Sequence, residues 1–373
     1  MKASVREIIE SYDPHAPLNE AWTIPASWYL DARIMELERR TVFARSWQLV
    51  GRADQVREPG QFITFELAGE PLLIVRGRDR VLRGFFNVCR HHAAAVMTEP
   101  EGTAPHLRCP YHGWTYTLEG ELKGTPDFSG VRNFDRATNG LVPVETTVWE
   151  KCVFARLDSV GPTLEEFLGA DLMGQLSSLG LESLHWMERR CYDLDCNWKV
   201  FVDNYLDGGY HVPYLHQGLD SVLDYSNYMI ETGERFCLQW SPIVADGAEP
   251  QTVAVRRGER ALYYWIYPNL MINCYDGMMD TNLVIPRGVD RTEVIFDFYF
   301  QDVSERARER NLASIAVGQR IQNEDVAICR AVQRGLASRA YAAGRLSVRR
   351  EAGEHLFHRL LYADLKMGLD QSG

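Results

Sequence analysis

Residues 89–116 read CRHHAAAVMTEPEGTAPHLRCPYHGWTY, and this stretch decides the fold. It holds Cys89-Arg90-His91 and, 17 residues on, Cys109-Pro110-Tyr111-His112. Each motif offers one thiolate and one imidazole to a single metal centre. Two chemistries use such a set. A zinc ion takes two Cys and two His tetrahedrally. A Rieske-type 2Fe-2S cluster takes two Cys on one iron and two His on the other. Zinc spacings usually pair Cys with Cys and His with His, whereas here each motif mixes them, which suits split ligation. The plain alternative is four unrelated buried residues. Trp114 and Tyr116 follow closely enough to shield one side of a cluster. His92 falls outside the spacing and reads as a neighbour of the site or a surface residue.

Outward from this stretch the texture is strand and turn. Gln61–Leu67, Pro71–Arg76 and Val81–Val88 are short β-rich runs, and Gly77-Arg78-Asp79 reads as a hairpin turn. The texture runs from Trp47 to about Leu157, and Gly161-Pro162 marks a boundary. Before it, Asp31–Trp47 reads as an amphipathic helix. Beyond it, Leu164–Leu184 has helical character. Strands follow at Thr252–Val255, Ala261–Asn273, Thr281–Pro286 and Thr292–Phe300. Ser304–Arg339 has no Pro and reads as one long helix. The plan is a small all-β domain inserted in a larger α+β domain: an N-terminal helical segment of the larger domain at 1–46, the insert at 47–157 and the remainder at 158–373.

A second constellation lies at 197–216, NWKVFVDNYLDGGYHVPYLH. His211 and His216 are five positions apart, so on an unbroken helix they would point about 140° apart. Pro213 is expected to break the helix near His211 and fold His216 back. Asn204, Asp207 and His211 share a helical face by their spacing. Asp207, four residues before His211, can hold the non-ligating imidazole nitrogen. In the long C-terminal helix, Ile321, Ile328, Val332 and Leu336 form an apolar stripe that Asp325 shares. A carboxylate there is costly unless paired or metal-bound. Glu324, one position off, reads as solvated or capped. Two His and one carboxylate make the facial triad of non-haem Fe(II) oxygenases. The competing readings are an exposed helix end and an Asp325–Arg pair.

The C-R-H-x17-C-P-Y-H-G-W-x-Y pattern resembles the Rieske domain of the non-haem iron ring-hydroxylating oxygenases. Within that family, D-N-Y-L-D-G-G-Y-H-V-P-Y-x-H and the segments Tyr267–Asn273 and Met279–Val284 resemble plant choline monooxygenase. The resemblance implies an oxygenase alpha subunit with a helix-grip-like catalytic domain, an antiparallel sheet and a long C-terminal helix. It implies one Rieske 2Fe-2S cluster on Cys89, His91, Cys109 and His112, and one mononuclear iron on His211, His216 and Asp325. It also implies electrons from a ferredoxin or an NAD(P)H-dependent reductase, O2 as co-substrate, and a homotrimer. In most of the family a bridging carboxylate stands three residues before the first ligand histidine. Here that position is Gly208, so Asp207 is the candidate for the role, and Asp207 and Asn204 are the candidate catalytic residues.

The implied reaction is hydroxylation of a small quaternary-ammonium or N-methyl compound, with choline to betaine aldehyde hydrate as the leading case. Tyr263, Tyr264, Trp265, Tyr267 and Tyr275 fit this, since aromatic faces attract such cations, but they also suit a plain core or an aromatic ring. Two other readings stay open: an oxygenase of small aromatic acids, and a Rieske electron carrier without oxygen chemistry.

Composition narrows the rest. The chain has 373 residues, 46% hydrophobic and 24% charged, with 40 Lys+Arg against 51 Asp+Glu and a formal charge of −11. This is the composition of a globular protein and argues against nucleic-acid or membrane-surface binding. An acidic ferredoxin would need a local basic patch. No signal-peptide pattern or apolar run of membrane length is present. Eight cysteines are too few for a disulfide scaffold, and the expectation is a reducing, cytoplasmic setting. Neither a nucleotide-binding glycine motif nor a P-loop occurs.

Overall fold

The computed structural model describes residues 3–244, 252 and 255–371. The chain forms two compact units. One is Phe43–Phe167; the other joins residues up to Val42 with those from Leu168 onward.

The smaller unit is all-β. Its strands are β1 (Gln48–Arg52), β2 (Gln61–Leu67), β3 (Glu70–Arg76), β4 (Leu82–Phe86), β5 (Glu101–Thr103), β6 (Leu107–Arg108), β7 (Thr115–Tyr116), β8 (Leu122–Gly124), β9 (Pro143–Trp149) and β10 (Cys152–Arg156). They build a seven-stranded sheet in the order β1-β10-β9-β4-β3-β2-β5 and a three-stranded sheet β6-β7-β8. Strand β3 explains the unit. Its side chains alternate between faces, and both faces are covered, which is why Leu72–Val75 is an unbroken apolar run. Leu73 and Val75 join Phe62, Phe85, Cys89 and Cys109 in one core, while Leu72 and Ile74 join Val50, Ile63 and Val153 in another. The expected turn forms, with the Gly77 amide donating to the Val81 carbonyl at 2.9 Å.

The larger unit is built on one antiparallel sheet of β11 (His185–Leu194), β12 (Met229–Thr232), β13 (Phe236–Pro242), β14 (Arg260–Ile266), β15 (Leu270–Tyr275), β16 (Met278–Pro286) and β17 (Thr292–Phe300). The order is β11-β17-β16-β15-β14-β13-β12. The helix Trp198–Leu206 packs on β16 and against two long helices, Glu305–Leu336 and Ala352–Gln371. Its Lys199 meets Glu38 at 2.6 Å with both side chains fully buried, which ties the N-terminal helix Ala32–Glu38 into this unit.

Several expectations change. The helix expected over Asp31–Trp47 is helical from Ala32 and ends in a π-turn at Arg39–Phe43, where the Thr41 hydroxyl donates to the Leu37 carbonyl. The helical stretch Leu164–Leu184 is three pieces, Leu164–Leu168, Ala170–Ser177 and a 3-10 turn at Leu181–Ser183, broken at Gly169 and Gly180, both with positive φ. The single strand expected over Ala261–Asn273 is two, turned at Tyr267–Asn269. The expected strand Thr252–Val255 lies largely outside the described residues. Strands β11, β12 and β13 were not expected: charged residues interrupt the alternation of β11 and end β12 at Glu231-Thr232, and β13 breaks it with Gln239, Ser241 and Pro242. The long helix starts at its Ser304 cap and ends at Leu336.

Candidate metal centres

In the smaller unit, two loops present the Cys/His set. One follows β4: the Cys89 amide donates to the Ala94 carbonyl and the Ala93 amide returns to the Cys89 carbonyl. The other joins β6 to β7: the Cys109 amide donates to Trp114 and the Gly113 amide returns to Cys109. Gly113 has φ +72°, so this tight return suits glycine. Cys89 and Cys109 are 3% and 2% exposed. His91 and His112 face outward with their Nδ1 atoms 3.1 Å apart. The Tyr116 hydroxyl lies 3.4 Å from Cys89 Sγ and accepts the Arg90 amide at 2.9 Å. Burial pushes the Cys109 thiol up, while the Tyr111 and His112 amides pointing at its sulfur pull it down. Trp114 stacks on His91 with ring centroids 4.7 Å apart. Two buried sulfurs, Cys109 faced by backbone amides and Cys89 by the Tyr116 hydroxyl, with two paired outward imidazoles, form a donor set that fits a cluster with split Cys/His ligation. His92 is exposed and belongs to the surface beside His91.

In the larger unit, His211, His216 and Asp325 each turn a ligand atom inward, and all lie within 4.8 Å of one another. His216 Nε2 is 3.1 Å and His211 Nε2 3.9 Å from Asp325 Oδ1. The local backbone differs from expectation. The helix stops at Leu206, with Asp207 as its cap, and Gly208 and Gly209 both take φ +67°. The break therefore precedes His211, and Pro213 opens a new short helix, Val212–Leu215, in place of ending the old one. Asn204, Asp207 and His211 do not share one continuous helix. Asp207 nevertheless accepts the Tyr210 and His211 amides and sits 2.5 Å from His211 Nδ1.

Glu324, expected to be solvated or capped, is partly exposed and takes a specific partner. Its Oε2 lies 2.6 Å from His216 Nδ1. Each imidazole is thus held at Nδ1 by a carboxylate, leaving both Nε2 atoms for a metal, the pairing that fixes tautomer and ring orientation. Burial opposes charge on His216, but Asp325 and Glu324 together raise its pKa. Asn204 Nδ2 donates to Asp325 Oδ1 at 2.9 Å and orients it. The stripe that singled out Asp325 is also corrected. Ile328 and Val332 are 38% and 43% exposed, and the buried face carries Asn311, Ser314, Gln322, Asp325, Cys329 and Gln333.

The triad opens on a cavity of about 120 Å³. Tyr205, Tyr228, Tyr263 and Tyr275 line it, with the Tyr263 and Tyr275 hydroxyls 2.8 Å apart. Burial pushes all four phenols up, so they stay neutral. Tyr264, Trp265 and Tyr267 do not line it: Trp265 packs on Phe357 and Tyr267 bonds Asp364. A buried group not singled out by sequence, Asp203, Glu354 and His358, gathers apart from the triad. The Tyr29 hydroxyl donates to Asp203 at 2.6 Å, and His358 Nε2 is 3.1 Å from Asp203 and 3.8 Å from Glu354. All eight cysteines are free thiols, and Cys191 is exposed. Among the described residues no helix is long and apolar enough to cross a membrane.

Comparison with known proteins adds three findings. Residues 46–135 match the Rieske [2Fe-2S] domain, and residues 181–365 match the ring hydroxylating alpha subunit catalytic domain. The chloroplastic choline monooxygenase of Arabidopsis thaliana is 39% identical over 98% of this chain and 88% of its own length. The carnitine monooxygenase oxygenase subunit of Escherichia coli is 32% identical over 86% of each chain. The quaternary ammonium Rieske monooxygenase CntA in complex with L-carnitine superposes with a TM-score of 0.82 at 27% identity, covering 98% of this chain and 99% of that one.

Proposed function

The chain belongs to the Rieske non-haem iron ring-hydroxylating oxygenases, and from that premise we propose that it hydroxylates a small quaternary-ammonium or N-methyl substrate. It is an oxidoreductase with a Rieske 2Fe-2S domain and a catalytic domain of the kind that binds mononuclear non-haem iron. The observation that carries the substrate class is the ring of neutral tyrosines beside the triad. Their faces attract a cation that cannot be hydrogen-bonded. Similarity to choline and carnitine monooxygenases supports the same reading.

In this reading Cys89, Cys109, His91 and His112 would hold the cluster, and His211, His216 and Asp325 would hold the iron beside the cavity. When bound, the cluster passes electrons and the iron activates O2, so that a C–H bond becomes C–OH and the second oxygen leaves as water, with two electrons and two protons consumed. The chain supplies placement. Asp207 and Glu324 hold the imidazoles, Asn204 aims Asp325, and the tyrosines set the substrate nitrogen against the triad. Electrons come from a ferredoxin or an NAD(P)H-dependent reductase. In a homotrimer, Asp207 at its shifted position serves as the bridge toward a neighbouring subunit's cluster. Undiminished coupling of cluster oxidation to product in Asp207→Asn would remove Asp207 from that role.

The test is donor-driven turnover on choline, carnitine, glycine betaine and benzoate-type acids. Product is expected from the ammonium compounds; product from aromatic acids alone would sink the reading. Iron content tests the assigned ligands. The native chain is expected to hold three irons, two in the cluster and one mononuclear. His211→Ala should lose one iron and turnover while keeping the cluster spectrum.

A further inference from the structure

Among the described residues, none that lines the catalytic cavity is exposed, so the way in from solvent runs past buried or half-buried side chains. A second cavity, of about 200 Å³, lies in the same unit and reaches the surface. Arg257, Asp276, Gln301, Asp302 and Arg310 line it and are exposed.

The two cavities follow one another along the helix Glu305–Leu336. Asn311 and Ser314 line the outer one, and Gly318, Gln322 and Asp325 the inner one. Steps of three and four residues keep all five on one helix face. This accounts for Asn, Ser, Gln and Asp on a buried face: they border open space as well as apolar core. Ser314 to Asp325 is about 16 Å of helix. On β16, Met278 lines the outer cavity and Asp280 the inner one, two residues apart on one face.

Three side chains stand between the cavities. Arg256 belongs to the inner wall, and Met278 and Ser314 to the outer. Arg256 Nη1 donates to Ser314 Oγ at 2.7 Å and lies 3.3 Å from Met278 Sδ. Ser314 Oγ lies 3.1 Å from the same sulfur. Tyr275 covers the guanidinium on the inner side, with its ring centroid 4.8 Å from the guanidinium carbon. This closure is of a kind that opens. A thioether is a weak hydrogen-bond acceptor, and Met turns about three bonds. Gly318 faces the guanidinium, and even a Cβ there would stand 3.6 Å from Nη2, so the fork has room to shift toward the helix.

We propose that Met278, Ser314 and Arg256 form the mouth of the catalytic cavity, through which substrate enters from the outer cavity and product leaves. Turning Met278 aside and breaking the Arg256–Ser314 bond joins the two cavities into one channel that ends at Asp325. The mouth selects by girth before the triad is reached, whatever the head group of the substrate. Such a conformational step governs entry and release together.

The test uses the holoenzyme. Ser314→Cys places a thiol in the mouth, and Cys191→Ser removes the exposed native thiol. The reagent is 2-(trimethylammonium)ethyl methanethiosulfonate, whose mixed disulfide fills the mouth and is removed by a thiol reductant. The probe is whichever of choline, L-carnitine, glycine betaine and benzoate the native enzyme turns over fastest. Labelling, counted by mass spectrometry, is expected to abolish its turnover and reduction to restore it, with the cluster spectrum unchanged throughout. Order of addition gives a second readout. Radiolabelled probe bound anaerobically before the reagent is added should stay with the protein through gel filtration and leave on reduction. A residue that only supports the fold would trap nothing. Met278→Cys repeats the test from the facing strand. Undiminished turnover in fully labelled enzyme would overturn the mouth. So would equal loss of prebound probe with and without label, or failure of the reagent to reach either cysteine.

Discussion

Glu324 and Asp325 are adjacent, yet they face opposite nitrogens of one imidazole. Asp325 Oδ1 lies 3.1 Å from His216 Nε2 and Glu324 Oε2 lies 2.6 Å from Nδ1. Glu324→Gln leaves the metal-facing atoms in place but removes the charge that fixes the ring. Iron affinity, read by competition with a chelator, is expected to fall about 10- to 100-fold. An unchanged affinity would show that His216 is oriented by packing alone. Residue by residue, what was legible depended on spacing. Cys89, His91, Cys109 and His112 declare themselves by a pattern in the chain. Glu324 does not: its side chain is 34% exposed, as a residue off the buried face should be. It has its role because Glu is long enough to reach His216 from the helix edge.

At the scale of elements, the turn at Gly208-Gly209 does what was assigned to Pro213. Two residues with positive φ reverse the chain after the helix, so His211 starts a new segment and converges with His216. Pro213 was the visible helix breaker, but near a helix start proline is tolerated. Gly208 also leaves no room for a side chain three residues before His211. A Cβ there would stand 2.1 Å from the Arg350 carbonyl oxygen and 2.6 Å from Ile230 Cδ1. No side chain fits, so an acid cannot occupy that position and Asp207 stands one residue earlier. Gly208→Ala is expected to lower stability by about 2–3 kcal/mol from left-handed strain and overpacking, seen as a lower urea midpoint. A midpoint equal to native would mean that the turn relaxes freely. The long helix teaches a related point. Its length was readable from the absence of Pro, but its buried face was not, because that face mixes Asn311, Ser314, Gln322, Asp325 and Gln333 with Ala307, Ile315, Val317, Cys329 and Leu336, while Ile328 and Val332 lie exposed.

For the molecule as a whole, the buried acids of the larger unit set a pH dependence. Burial, then Asp203, Glu351 and Asp207, holds the Glu354 carboxyl well above its ordinary value of 4.5. The folded state therefore keeps a proton that the unfolded state releases. Stability from this group is complete below about pH 4.5, falls as pH rises toward the raised folded value, and is constant above it. The fall is at most about 1.4 kcal/mol per pH unit. Glu354→Gln removes the titration, so the Tm of the variant minus that of the native chain should grow as pH rises from about 4.5. A flat difference would place the proton elsewhere. The N-terminal segment belongs to the same unit through the buried Lys199–Glu38 pair. Amphipathic spacing made its helix legible, but nothing in the chain announces a contact across 161 residues.

The pairing of β11 with β17 has a consequence for the order in which the catalytic unit assembles. From β12 to β17 each strand pairs with its sequence neighbour, and the longest connection among them is the 17 residues between Pro242 and Arg260. The β11–β17 ladder, from His185 opposite Phe300 to Leu194 opposite Thr292, joins chain about a hundred residues apart. Distant pairings carry the larger closure entropy and form after local ones. His211 and His216 lie within the loop this ladder closes, whereas Asp325 lies beyond it. Until the last seam of the sheet is zipped, the nascent chain offers two histidines without their carboxylate. With His211, His216 and Asp325 as its ligands, the mononuclear iron is expected to be captured late in folding, so that iron retention marks a chain that has finished folding.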